Sequence, residues 1–353
     1  MKLNNQQRTA LIKHCGVSRH AWNWGLWLTK NILEHNKTNL SDKIKLTSAI
    51  DLHKLLVALV KPNCPWYYEC SLSPPQESLR ALRTAWDRCF KKNRGAPRFK
   101  KKGHRDSFTL EGAVKVQGKN KIQVPKMGIL KTYERLPQVL TKSATISRTA
   151  HRWFISFRVD VERQISVSDS IVGVDLGIKA LATLSTGEVV LGANSYTKSE
   201  AKLSRMQRLN RHKLTGSNNW KKSHIQIAML HKKIANIRKD TIHKLMTLLA
   251  KNHGPVVIED LNVSGMLANH KLAKSIASLS FFEWRRQLTY KCELYGSKLV
   301  VADRWFPSSF TGSNCGTKKK HSLCQNECLI AVTAVLLSAC DLNAAINLSK
   351  TVS

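Results

Sequence analysis

Long apolar runs are missing from this chain. No stretch of about eighteen consecutive apolar residues occurs, which excludes a membrane-spanning helix and any membrane partner that needs one. The opening residues, MKLNNQQRTALIK, lack the apolar core of a signal peptide, so a cytoplasmic protein is expected. Acidic residues are scarce. Against 58 Lys plus Arg stand 23 Asp plus Glu, a formal charge of +35 spread along the chain instead of confined to one tail. Such a surplus repels itself unless a polyanion is near, and phosphate backbones are the usual counterpart. A sequestered basic protein, such as a ribosomal one, and a membrane-surface binder are the alternatives that charge alone leaves. Cysteine pairs at knuckle spacing are missing too: of nine cysteines, no two stand as Cys-x-x-Cys. Without secretion they do not make a disulfide framework. Cys15, Cys64, Cys70, Cys89 and Cys292 sit among apolar residues, as core thiols do.

What is present changes texture three times along 353 residues, enough for two or three domains. From Asn4 to about Phe90, apolar positions recur at spacings of three and four, as in AWNWGLWLTKNILEH and QESLRALRTAWDRCF, which predicts helices. Trp22, Trp24, Trp27 and Trp86 fall in this pattern; it is that of core residues, with base stacking as the alternative. KKNRGAPRFKKKGHRD follows, a basic linker broken by Gly95, Pro97 and Gly103. Its Arg98, Lys100, Lys101, Lys102 and Arg105 make either a solvated loop or a phosphate clamp. From Ser107 to about Glu162 alternation replaces helical spacing, and the segment reads as strands of a small barrel or sheet. After Ile171 the signal is mixed. IVGVDLGIKALATLSTGEVVLG predicts three short strands, GPVVIEDLNV an isolated buried one, and two basic helices lie between. The second helix places Ile227, Leu230, Ile234, Ile237, Leu245 and Leu248 on one face, with Lys221 and Lys222 among the cations opposite.

Three acids in this last region carry chemistry. Asp175 interrupts a strand that otherwise demands burial, and a buried charge is costly unless paired or metal-bound. Glu259 repeats the situation after PVVI, while alternation points Asp260 the opposite way. Asp341 opens DLNAAINL, where an N-cap of the final helix is its plain structural role. Together the three carboxylates suit two divalent ions, Mg2+ or Mn2+, which prefer oxygen ligands. Two such ions about 4 Å apart support phosphodiester cleavage.

GVDLGIKALATLSTG, VVIEDLNVSGM, WFPSS with SNCG, and DLNAAINL resemble the RuvC-type nuclease segments of the TnpB (OrfB) family of insertion sequences, akin to compact type V CRISPR effectors. CGVSRHAWNWGL and PRFKKKGHRDSF resemble that family's amino-terminal half, so the likeness covers nearly the whole chain. It implies a multidomain α+β protein: a helical recognition domain at 1–95, a wedge β-barrel at 96–166, and an α/β RNase H-like (RuvC) nuclease domain at 167–353. The last is expected to carry a helical insertion at 196–250 and a degraded zinc ribbon at 305–340. The resemblance further implies cleavage of double-stranded DNA beside a short adjacent motif, guided by an RNA from the element's end. By position Asp175, Glu259 and Asp341 match the catalytic, metal-holding acids, and His243 with Lys244 matches a pair in the helix before the second acid.

Two departures from the family pattern follow. The chain starts at MKLNNQQ where the family has a further strand, so the barrel is expected to lack its opening strand and to leave an unpaired edge. The ribbon normally has two Cys-x-x-Cys knuckles making a closed tetrahedral zinc site. Here the first reads Gly312, Ser313, Asn314, Cys315; Cys324 and Cys328 are four apart, and Cys340 adjoins the last acid. A makeshift Zn2+ site from Cys315, His321, Cys324 and Cys328 is the alternative to no zinc. One choice among the many codon spellings permitted for Leu323 through Ala334, read two bases out of phase, gives a proper knuckle, and the conjecture it raises is a pair of compensating frameshifts. Activity therefore stands between an RNA-guided endonuclease and a nuclease-weak or decayed relative that still binds RNA and DNA; a transposase that itself joins DNA ends is a third reading.

Overall fold

The structure, a computed structural model, describes residues 1–352 apart from 40, 93, 113, 137–141, 161–164, 166–167, 179, 315 and 317–332, and apart from the side chains of 333–339. The chain divides into two compact units, Met1–Glu162 and Arg163–Ser353.

The first unit begins with α1 (Asn5–Thr38). Asn4 accepts a hydrogen bond from the Gln7 N–H while the Gln7 side chain accepts from the Asn4 N–H, a reciprocal cap that satisfies two otherwise orphaned donors. Next come α2 (Ala49–Leu55) and α3 (Ser73–Phe90), the latter with Pro74 and Pro75 in its first turn, where a missing N–H costs least. α1 and α3 cross closely at Gly25, where a Cβ would stand 2.6 Å from Leu79 and 3.0 Å from Leu82. Leu26, Leu52, Leu56, Leu79 and Leu82 fill the core between these helices. Of the tryptophans at helical spacing, Trp86 is buried and donates to Thr29 (2.9 Å), Trp22 and Trp24 are half-buried, and Trp27 is exposed. Cys15 and Cys70 are buried and burial pushes their thiols up to about 12 and about 11, so they are inert core groups.

Six strands complete this unit: β1 (Ser107–Glu111), β2 (Lys115–Gln117), β3 (Lys121–Val124), β4 (Gly128–Lys131), β5 (Ser143–Thr149) and β6 (Arg152–Arg158). They form two antiparallel sheets, β1-β5-β6 and β2-β3-β4, with Phe108, Leu110, Ile122, Leu130, Ile146 and Trp153 in one core that also takes Leu11 of α1. The expected barrel thus appears, among the described residues, as two sheets over a shared core with no closed ring. The edge of β4 meets an isolated antiparallel bridge from Lys2 to Lys131.

In the second unit, β7 (Val172–Asp175), β8 (Ala182–Leu184), β9 (Val189–Val190), β10 (Pro255–Glu259) and β11 (Lys298–Ala302) form one sheet in the order β11-β10-β7-β8-β9. β10 runs parallel to both β7 and β11, whereas β8 is antiparallel to both β7 and β9. Between the strands lie α4 (Thr197–Arg211), α5 (Asn218–Asn252), α6 (Val263–Ala268), α7 (Ala273–Leu279) and α8 (Phe281–Tyr295), and α9 (Thr333–Ser349) follows β11. Val172, Val174, Val256 and Ile258 pack one face of the sheet against α5 and α8. Alternation sends Gly173 and Val257 to the other face, against α9.

Two local expectations change. Ile237 and Leu248 are 40% and 39% exposed, while Ile242, Met246 and Leu249 of the same helix are buried: over 35 residues a 3.6-residue period drifts off a fixed stripe. Asp341 lies inside α9 and is not its N-cap, because the helix starts eight residues earlier at Thr333. Cys315, His321, Cys324 and Cys328, with most of the stretch proposed as frameshifted, lie outside the described residues. No helix among the described residues is long and apolar enough to cross a membrane.

Candidate functional site

Two neighbouring parallel strands end in acids. In the register of β7 and β10, Ile258 pairs with Val174, so Asp175 and Glu259 follow side by side at the carboxyl ends of the strands. Ligand sites of open α/β sheets form at that end.

The third acid arrives by a coincidence of step lengths. A Cβ on Gly173 would stand 2.0 Å from the Ala345 carbonyl oxygen and 2.6 Å from the Ser349 nitrogen, so α9 rests directly on the bare backbone of β7. Two residues along a strand advance about 6.6 Å, and four along a helix about 6 Å. With Ala345 over Gly173, the helix row running back to Asp341 comes level with Asp175. Consistently, a Cβ on Gly177 would lie 3.9 Å from Asp341 Oδ2. The electrostatics agree: burial, then the negative charges of Glu259 and Asp341, push the Asp175 carboxyl up to about 7.

Glu259 is held by Ser308, which is buried and donates its hydroxyl to Glu259 Oε1. Ser308 is in turn fixed from α9. Asn347 donates to the carbonyls of Ser308 (2.7 Å) and Thr311 (2.6 Å). Asn343 donates to Thr311 O (2.8 Å) and accepts from Ser313 N–H (2.7 Å). Asp260 turns the other way, to Arg285 (2.6 Å) and Arg304 (2.8 Å), as strand alternation requires.

The donor set is entirely oxygen, which suits a hard divalent cation. As placed, the carboxylates interact through their charges, but no three His, Cys, Asp or Glu side chains among the described residues stand close enough to hold a metal ion. Like charges repel, and a cation is what would draw such oxygens together.

The basic candidates fall in separate places. Arg98, Lys101, Lys102 and Arg105 are exposed on the linker of the first unit. That linker is not free: Trp22 donates to Arg98 O (3.0 Å), Asn23 exchanges two hydrogen bonds with the Lys100 backbone (2.8 and 3.0 Å), and the Lys100 ammonium lies 4.0 Å from the Trp22 ring centroid. In the second unit Lys221 and Lys222 are exposed on α5, and Lys244 pairs with Asp240 at 2.7 Å. His243 is half-buried against α8, 3.5 Å from the Tyr290 hydroxyl, with burial first and Lys291 next holding its pKa below the ordinary range. No hydrogen bond among the described residues ties it to the acids.

Ser308, Asn343, Asn347 and Gly173 were missed as site residues by the sequence reading. Signals existed: two asparagines four apart face one way on a helix, and a glycine inside the buried run IVGV marks a close approach.

The fold and site define a class: a mixed α/β protein with carboxylates gathered at the ends of parallel strands, of one fold with Cas12f1. The chain superposes on the Cas12f1 of a Cas12f1–sgRNA–target DNA complex with a TM-score of 0.59, at 13% identity, over 97% of this chain and 83% of that one. The OrfB_IS605 family model, described as "Probable transposase", matches residues 154–270, and a Cas12f1-like TNB domain model matches 281–348. A helix-turn-helix model of the same family matches residues 1–38, where the structure has the single helix α1. "Putative RNA-guided DNA endonuclease InsQ" of Escherichia coli K12 is 36% identical over 80% of this chain and 75% of its own length. "Putative RNA-guided DNA endonuclease Rv2885c" of Mycobacterium tuberculosis is 30% identical over 88% of this chain and 76% of its own. The chain belongs to the OrfB (TnpB) family.

Proposed function

We propose that this chain is an RNA-guided DNA endonuclease accompanying a transposable element, with residues 167–353 acting as its RuvC (RNase H-like) nuclease domain. The convergence of Asp175, Glu259 and Asp341 in a chain of +35 charge carries this reading. The three carboxylates would hold Mg2+ or Mn2+. When bound, the ions supply an activated water and stabilise the leaving oxygen of a phosphodiester. The chain's own part is positioning. Gly173 seats α9 so that Asp341 meets Asp175, Ser308 orients Glu259, and Asn343 and Asn347 hold the Ser308 segment in place. The basic surfaces bring a guide RNA and target double-stranded DNA. A cleavage assay with co-expressed flanking RNA tests this: the parent chain is expected to cut and Asp175→Ala to lose product. Equal product from both removes the assignment.

A nuclease-weak RNA- and DNA-binding relative is the second reading. The incomplete ribbon ligand set favours it. Guided binding without product from the parent chain supports it.

A further inference from the structure

The first unit carries a groove that no part of the nuclease reading uses. His20, Trp24 and Trp27 of α1 line it together with Trp66, around an open volume of about 680 Å³. That volume lies in the range of ordinary ligand clefts, about 300–1,000 Å³. Trp27 is 54% exposed and Trp66 39%. Trp66 is braced before any ligand arrives. It stacks on Tyr67 at 4.5 Å and meets His20 edge-on at 5.1 Å, while the Tyr67 hydroxyl sits 2.7 Å from His20 Nδ1. Tyr67 itself is buried in the helical core, so the platform is anchored to the fold.

Exposing flat apolar rings on a rigid support is unfavourable in water, and the arrangement calls for a ligand with flat apolar faces. The rim narrows the choice. Lys13, paired with Glu69 of the same rim, and Arg19, paired with Asp106 at 3.4 Å, stand on it. On the neighbouring Trp22–Asn23 stretch of α1 lies the pinned segment Arg98–Lys100, with its exposed Arg98, unpaired among the described residues, and the following Lys101 and Lys102. An aromatic floor beside cations is the make-up of a single-strand nucleic-acid site, where bases stack and phosphates meet the charges. A second copy of a +35 chain would meet like charge instead. We propose that this groove holds unpaired nucleobases of an RNA strand, stacked on Trp66 and Trp27 with their phosphates toward the rim. RNA is chosen on the guided reading above and because unpaired RNA is read by stacking; the stacking platform itself stands without that reading.

Fluorescence anisotropy with the full chain and a short unpaired oligoribonucleotide, over a salt series, tests it. Trp27→Ala and Trp66→Ala are expected to weaken binding about tenfold each. The slope of log affinity against log salt should stay as in the parent, since no phosphate contact is removed. Trp66→Phe should keep most of the affinity, and a duplex of the same composition should not sense any of these changes. Unchanged affinity in Trp27→Ala overturns the site, because that ring is exposed and its loss leaves the core intact. Equal losses for duplex and single strand overturn it as well. Single-stranded DNA held as tightly, with the same sensitivity, overturns the choice of RNA; displacement of the RNA from the parent but not from Trp66→Ala by poly-glutamate overturns the choice of nucleic acid. A parent chain that binds RNA through these rings but cuts no DNA leaves the groove standing and removes the endonuclease. Intact guided cutting with unaltered RNA binding in the variants does the reverse.

Discussion

Asp175 is pressed in one direction by everything around it. Burial and the two neighbouring carboxylates raise its pKa from 3.8 to about 7, so the folded protein keeps a proton that the unfolded chain releases. Between those values the folded state binds more protons, and the stability of the metal-free protein falls as pH rises through that window, levelling off above it. Asp175→Asn removes this slope. In chelator, urea denaturation at pH 8 should show the variant more stable than the parent, by up to about 4 kcal/mol, with little difference near pH 4. Ser308 acts one step out from the acids. Ser308→Ala leaves Glu259 without its hydroxyl donor and should lower guided cleavage about 10- to 100-fold, while RNA binding by gel shift stays at the parent level.

At the scale of elements, the contact of α9 with β7 decides the site. Gly173→Ala puts a methyl group where the Ala345 carbonyl already stands, so the helix must lift. A loss of about 3 kcal/mol or more in urea denaturation is expected, together with loss of cleavage, since misplacement by about 1 Å costs roughly 100-fold. Much at this scale was legible beforehand. The runs IVGV and PVVI are apolar, short and ended by an acid, which located β7 and β10 and both their carboxylates. α1, α3 and α5 were legible from helical spacing. What stayed hidden depends on the partner element. KLVVA of β11 is a strand because β10 lies beside it, and nothing in WFPSS says that its first serine will meet Glu259. The start of α9 was hidden for a related reason: DLNAAINL looks like a beginning because Asp is a good cap, but the helix was already under way.

Over the whole molecule the excess of 35 positive charges is shared by both units, in the linker of one and on α5 of the other. A surface of this kind binds polyanion by releasing counterions. Nucleic-acid affinity is therefore expected to fall by about 1,000-fold between about 50 and 200 mM salt, measured by filter binding. Heparin should compete at low salt, and guided target binding should outlast it because base pairing carries the specificity.

The seat of α9 on Gly173 has a consequence for how this chain tolerates change. Asp341 stands one helical turn before Ala345, the residue whose carbonyl rests on β7. Removing one residue between Asp341 and Ala345 would swing the acid about 100° around the helix axis. The third carboxylate therefore depends on the exact length of a single helical turn.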